Sequence, residues 1–268
     1  GGDTQKEKFD GDRISVLNFE TTLREDPRLR GEPVRILPPF RNSTWNNAGG
    51  FATNAAYHLE LDGLGEGFRV DMVRGNKGLT VLKAPPVVAD GKVFALGTDL
   101  KVVAVEAKTG APLWSQSVLA TFTERNFSLS RFFSSKEKPA RVRDGFGGGV
   151  SYAAGRVFVT TGFGEVLALD AATGDIIWRV QNLVAFSNAP TYSNGRIYVA
   201  SQDSRLQAFN AEDGTRIWEH LAIKEAATIV GATSVAVNEQ IVLAGFNSGE
   251  VVALSPVNGQ EAWNETLT

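Results

Sequence analysis

Four tryptophans in this 268-residue chain each stand four residues after a glycine: Gly110 and Trp114, Gly174 and Trp178, Gly214 and Trp218, Gly259 and Trp263. Counting back from each Trp reaches a second turn that opens a β-branched or aromatic run. Gly91 to Trp114, Gly155 to Trp178 and Gly195 to Trp218 each span 23 residues, and Glu239 to Trp263 spans 24. In the fourth copy, Glu239-Gln240-Ile241-Val242, Glu stands where the others have Gly. Its additional residue is assigned to the turn Phe246-Asn247-Ser248-Gly249. Trp-to-Trp steps of 64, 40 and 45 describe one repeating unit with one insertion. A fixed period of about forty residues is the mark of stacked supersecondary units.

The first unit reads as four short antiparallel strands over 84–89, 92–96, 102–105 and 112–118. The turns Thr109-Gly110, Thr173-Gly174, Asp213-Gly214 and Asn258-Gly259 supply the positive φ that tight connections need. Alternation is weak in Val166-Leu167-Ala168-Leu169, as expected when neighbours cover both faces of a strand. A unit this small cannot bury its own faces, so copies must stack. Strand-only units of this length favour an all-β fold, the β-propeller of four-stranded antiparallel blades. The expected blades run over about 84–118, 150–183, 189–223 and 229–266. Residues 1–83 are expected to form an N-terminal strap and a ring-closing strand, and a basic, aromatic insertion occupies 119–144. Trp114, Trp178, Trp218 and Trp263 hold a fixed place on the last strand of each unit. They are read as packing between adjacent blades rather than as a cofactor box or sugar platform.

Composition removes several functions. The absence of cysteine excludes disulfides and thiolate chemistry. A net charge of −3 points to neither nucleic acid nor an anionic membrane surface. No apolar run approaches the roughly 18 residues that span a bilayer. The start, Gly1-Gly2-Asp3-Thr4, has no signal-peptide core and reads as a mature form beginning after any targeting segment. His58, placed on a strand, and His220, placed just after one, stand at no ligand-like spacing. The run 144–149 is Gly-rich without a following Lys-Ser/Thr, so it reads as a flexible entry into a blade rather than a phosphate loop. Gly63-Leu64-Gly65-Glu66-Gly67 fails the dinucleotide pattern. No catalytic, cofactor-binding or metal-ligating residue is expected.

Leu167-Ala168-Leu169-Asp170-Ala171-Ala172-Thr173-Gly174-Asp175-Ile176-Ile177-Trp178 resembles the repeat of pyrroloquinoline-quinone-type propellers. Trp45-Asn46-Asn47-Ala48-Gly49-Gly50 followed by Ala56-Tyr57-His58-Leu59-Glu60-Leu61 resembles the start of BamB-type outer-membrane assembly lipoproteins. Gly147-Gly148-Gly149-Val150 and Trp178-Arg179-Val180-Gln181 are similar to the same family. The resemblance covers roughly residues 45–268. It implies an eight-bladed ring of which this chain supplies about half, with a strand near Tyr57 closing the ring. The blade ending at Trp263 would then have a bare face.

The resemblance also implies partners. BamB-type proteins carry a Leu-x-Leu-Arg-Gly stretch between two repeats that contacts the periplasmic domains of the barrel insertase. The matching stretch here is Ala227-Thr228-Ile229-Val230-Gly231, with Val230 at the Arg position. The insertion, which holds Arg125 and Arg131 among interleaved Phe residues, is either a contact site for an acidic partner or membrane surface, or a loop that packs locally. The stretch 12–20 is expected to be a strand or a strap.

The leading expectation is a non-enzymatic scaffold at the periplasmic face of the outer membrane of a Gram-negative bacterium. It would bind the insertase and nascent outer-membrane proteins, with no cofactor and with membrane attachment only through an upstream lipid anchor. Self-association of half rings is a further expectation. The alternatives are a quinone-dependent dehydrogenase, with cofactor and Ca²⁺ at the propeller axis, and a ligand-sensing propeller domain.

Overall fold

The structure is a computed structural model and describes residues 27–33, 35–61, 63, 67–75, 85–119, 147–222, 234–246 and 248–266. It falls into two units, 1–38 and 39–268. The described part of the first contains a short 3-10 helix, Pro27–Leu29. The second contains all sixteen strands of the described residues, arranged as four separate four-stranded sheets.

Each sheet is one repeat, and within each the strands follow chain order. Blade 1 is β1 (Val87–Ala89), β2 (Lys92–Leu96), β3 (Lys101–Glu106) and β4 (Pro112–Ser117). Blade 2 is β5 (Gly148–Ala153), β6 (Arg156–Thr161), β7 (Glu165–Asp170) and β8 (Ile176–Gln181). Blade 3 is β9 (Thr191–Ser193), β10 (Arg196–Ala200), β11 (Arg205–Asn210) and β12 (Arg216–Leu221). Blade 4 is β13 (Ala236–Val237), β14 (Val242–Gly245), β15 (Glu250–Leu254) and β16 (Glu261–Thr266). All pairings are antiparallel. The first strands β1, β5, β9 and β13 touch in series and form the inner side of an arc of blades.

The core lies between blades rather than within them. One buried cluster joins Phe94, Val102 and Ala104 of blade 1 to Val150, Val157 and Leu167 of blade 2. A second joins Phe158 and Ala168 to Ile197 and Phe209, and a third joins Tyr198 and Leu206 to Val242 and Val252. Five of six β7 residues are buried, because blades 1 and 3 cover its two faces. This is the physical reason for the weak alternation in 166–169.

Several sequence expectations change. The first two residues of each interior hairpin turn, Asp90-Gly91, Ala154-Gly155 and Asn194-Gly195, all have positive φ, as two-residue turns of the primed type require. In blade 4 Asn238 pairs with Ile241 as Ser193 pairs with Arg196, so Gln240 occupies the glycine position, not Glu239. The spacing from that position to Trp263 is therefore the same as in the other three blades, and the turn after β14 is no longer than its counterparts. Without glycine the turn is held differently: Asn238 Oδ1 accepts the amides of Gln240 (2.9 Å) and Ile241 (2.8 Å).

His220 lies inside β12 rather than after it, and His58 is in no strand. Gly148 and Gly149 are not a flexible entry but buried members of β5. A Cβ on Gly148 would stand 2.0 Å from the Thr160 carbonyl oxygen, so the glycine permits close backbone approach. Residues 12–20, the insertion from 120 onward and the stretch 223–233 lie outside the described residues.

Candidate functional site

Three contacts between blades use one device. Trp114, Trp178 and Trp218 each donate their indole N–H to a carbonyl of the next blade, those of Ala171, Ala211 and Pro256, each at 3.1 Å. Three residues after each acceptor stands a glycine with φ between +71° and +83°: Gly174, Gly214 or Gly259. A Cβ there would lie 2.7 Å from the ring of the docking Trp. The receiving turn is thus shaped for the indole in both its polar and its apolar contacts.

Behind each ring the blade supplies the same row across three strands. Phe94, Ala104 and Trp114 are cross-strand partners, as are Phe158, Ala168 and Trp178, and Tyr198, Ala208 and Trp218. The aromatic–Trp centroids are 5.9–6.2 Å apart. The register shifts just after the Ala–Trp pair in all four blades, an irregularity of the bulge type that aims the Trp. Tyr152 of blade 2 stacks on Phe94, and Tyr192 of blade 3 stacks on Phe158, both with rings 10° apart. Burial pushes the Tyr152 phenol up to about 12, and its hydrogen bond to Asp90 adds to that shift.

Blade 4 carries the row as Leu243, Ala253 and Trp263; Ala253 is fully buried, Leu243 is half-buried, and the outermost member lies open. Trp263 is 46% exposed and every residue of β16 is exposed. Arg156 and Arg196 donate to next-blade carbonyls, Arg156 to Ala211 (2.8 Å) and Arg196 to Pro256, whereas their counterpart in blade 4 is Ile241. At the other end, the receiving glycine of blade 1, Gly110, is met by Phe68 and Val70 at 2.9–3.1 Å from its would-be Cβ.

The inner side of the arc is crossed by its own chain. Trp45 and Val88 exchange backbone hydrogen bonds of 2.6 and 2.8 Å. Tyr152 N–H donates to Asn46 O (2.8 Å), Tyr192 N–H to Asn47 Oδ1 (3.1 Å) and Val237 N–H to Ala52 O (2.7 Å). Asn54 Nδ2 completes the run on Ser234 O at 3.2 Å. Val88, Tyr152, Tyr192 and Val237 hold equivalent places on the four inner strands, so residues 45–54 form a strap that satisfies one inner N–H per blade. Gly49 and Gly50 let the strap turn: a Cβ on Gly49 would meet Asn54 Oδ1 at 2.2 Å, and one on Gly50 would meet the Trp45 ring at 3.0 Å.

The motif that suggested a closing strand near Tyr57 therefore does other work. Tyr57 has φ +53°, is 63% exposed, and packs on Phe51. Among the described residues its neighbourhood makes a single bridge, Phe40 with Leu59. The residue that takes a tryptophan's place on blade 1 is Phe68, which sequence reasoning missed because it stands outside the Gly–Trp register.

The strap fills the inner side with backbone, and no group of three or more His, Asp or Glu that could hold a metal occurs among the described residues. A groove of about 470 Å³ beside the strap, lined by Asn42, Trp45, Leu59, Leu61 and Val88 among others, has Glu60 as its single ionisable wall. Glu60 pairs with Arg41 at 3.5 Å. The residues expected to meet a partner, Ala227, Thr228, Ile229, Val230, Gly231, Arg125 and Arg131, all lie outside the described residues.

Comparison with known proteins gives two family matches and a set of folds. A family model described as glucose/ethanol/alcohol dehydrogenase, beta-propeller domain, matches residues 68–177. Among curated proteins, outer membrane protein assembly factor BamB of Nitrosomonas eutropha is 26% identical over 183 residues, covering 68% of this chain and 39% of that protein. Among solved structures, BamB from Moraxella catarrhalis matches with TM-score 0.54 and 17% identity, over 75% of this chain and 51% of that one. Quinohemoprotein alcohol dehydrogenase from Comamonas testosteroni matches with TM-score 0.58 and 20% identity, over 85% and 42%. These likenesses establish the propeller fold, and the chain spans about half or less of the length of the relatives it matches. The family model described as outer membrane protein assembly factor BamB matches residues 128–268, more than half of the sequence, and to that family the chain belongs.

Proposed function

We propose that the chain is part of a non-enzymatic scaffold of the outer-membrane β-barrel assembly machinery, held at the periplasmic face of the outer membrane. The observation that carries this reading is the family match over 128–268. The strap along the inner strands supports it, because it puts backbone where a dehydrogenase of this fold would need a cofactor. In this reading the stretch Ala227, Thr228, Ile229, Val230 and Gly231 contacts the periplasmic domains of the barrel insertase. Arg125 and Arg131 add a basic contact, and exposed strand edges receive nascent outer-membrane strands by β-augmentation.

Calorimetric titration of the chain with the isolated periplasmic domains of the insertase tests this. Saturable binding is expected, with the double variant Ile229→Asp, Val230→Asp weakening it at least tenfold. Arg125→Glu with Arg131→Glu should weaken it less, and mainly at low salt. The dehydrogenase reading draws on the family match over 68–177. It would replace the scaffold reading if the chain ignored the insertase domains but oxidised an alcohol when supplied with quinone, Ca²⁺ and an electron-accepting dye.

A further inference from the structure

The three covered blade contacts share their docked tryptophan and differ in one ring. At the first, Tyr152 stacks on Phe94 with centroids 5.6 Å apart, and at the second Tyr192 stacks on Phe158 at 5.7 Å. Tyr152, Tyr192 and Val237 pair with Val157, Ile197 and Val242, the same step of each second strand. The third contact therefore has a valine where the other two have a phenol. Val237 shares a buried cluster with Tyr198, which holds the place of Phe94 and Phe158.

The missing ring leaves space. A cavity of about 200 Å³ opens at this contact, lined by Asn194, Arg196 and Tyr198 of blade 3 and by Asn238, Glu239 and Pro256 of blade 4 among others. A cavity of about 150 Å³ already admits benzene, so one aromatic ring fits. We propose that this cavity binds the tyrosine side chain of a partner polypeptide, its ring taking the place that Tyr152 and Tyr192 fill at the other two contacts.

The polar groups agree with that occupant. Tyr152 donates its phenol to Asp90, the first residue of the blade 1 hairpin turn, with φ +49°. Asn194 stands at the same turn position on blade 3, with φ +48°. It is exposed, and its side-chain amide makes no hydrogen bond among the described residues. Asn194 Oδ1 is thus the acceptor for an incoming phenol, as a seated tyrosine hydroxyl requires. The Pro256 carbonyl is not, since Trp218, Arg196 and Tyr198 already donate to it. A polypeptide is the source that fits. In both filled contacts a main chain delivers the ring, and the exposed Asn238 and Glu239 offer polar contacts to peptide groups.

Titration of the isotope-labelled chain with N-acetyltyrosinamide, followed by proton–nitrogen correlation spectra, tests this. Saturable shifts are expected at the amides of Asn194, Arg196, Asn238 and Val257, with a dissociation constant on the order of 1 mM. N-acetylphenylalaninamide, which lacks the hydroxyl, should bind about three- to tenfold more weakly. Val237→Tyr supplies the ring from within, so it should abolish binding of both compounds and raise the melting temperature. Asn194→Ala keeps the cavity and should erase the preference for the phenol, which decides the matter even where Val237→Tyr does not fold. Absent or scattered shifts, unchanged binding to a folded Val237→Tyr chain, or a phenol preference that survives Asn194→Ala would each overturn the proposal. So would binding of free p-cresol without binding of N-acetyltyrosinamide, the mark of a site for small phenols.

Discussion

Trp218 and Trp263 hold the same place on successive blades, and only one of them is covered. Trp218 lies over Gly259 and donates to Pro256, with 8% of its surface exposed; Trp263 has the same strand, the same bulge and the same alanine beneath it, and is 46% exposed. Local structure is therefore identical where burial is not. A blade forms its four strands from turn chemistry and β propensity, but the Trp at the outer end of its row is fully seated only where the next blade closes on it: Ala253 is buried without one, and Trp263 is not. The stability of such a chain resides in the contacts between units, as nearest-neighbour coupling in repeat proteins requires.

The sharpest way to break this comparison is to truncate both rings. Trp218→Ala should cost about 3–5 kcal/mol, since it empties a packed site and removes one of the donors to the Pro256 carbonyl. Trp263→Ala should cost less than about 1 kcal/mol in dilute solution, as exposed substitutions do. Urea unfolding of both variants measures the difference. Equal losses would mean that the ring contributes within its own blade, and the contrast between covered and open faces would fall.

A smaller effect separates receiving turns from plain ones. Gly214 and Gly195 have nearly the same φ, +75° and +74°, so an added Cβ costs each about 1–2 kcal/mol of backbone strain. At Gly195 nothing lies within 4 Å of that Cβ, whereas at Gly214 the Trp178 ring stands 2.7 Å away. Gly214→Ala should therefore lose about 1–3 kcal/mol more than Gly195→Ala from overpacking. Parallel melts of the two variants sharpen the claim that the glycine serves the docked indole as well as the turn.

The blades were legible because their signal is local and repeated: a Trp four residues after a turn glycine fixes the last strand, the bulge and the docking partner together. The fourth blade's turn was misaligned by one residue because a side-chain device, Asn238 Oδ1, replaced the glycine that marked the other turns. The strap was not legible. It works mainly through the carbonyls of Trp45, Asn46 and Ala52, which no residue type advertises, and only Asn47 and Asn54 act through their side chains. Phe68 was hidden for a related reason: a single phenylalanine outside the repeat carries no period. The stretch 227–231, proposed to meet the partner, lies outside the described residues.

The smallest expected effect lies at the first blade contact, which carries a phenol where the third carries Val237 and the open face has no counterpart. Burial, with the Asp90 hydrogen bond second, raises the Tyr152 pKa from 10.0 to about 12. Between those values the unfolded chain has released its phenolic proton and the folded chain has kept it. The folded state then binds more protons, so stability falls as pH rises. This contribution is fully present below pH 10 and is lost as pH climbs to about 12. Tyr152→Phe keeps the ring on Phe94 but removes the titrating group. Its unfolding free energy should therefore decline less steeply than the parent's across that window. Tyr198, whose pKa burial also raises, acts equally in both chains and cancels in the difference. Parallel declines would show that the phenol of Tyr152 titrates alike folded and unfolded, and that the first contact, like the third, is held by ring packing without help from the Asp90 bond.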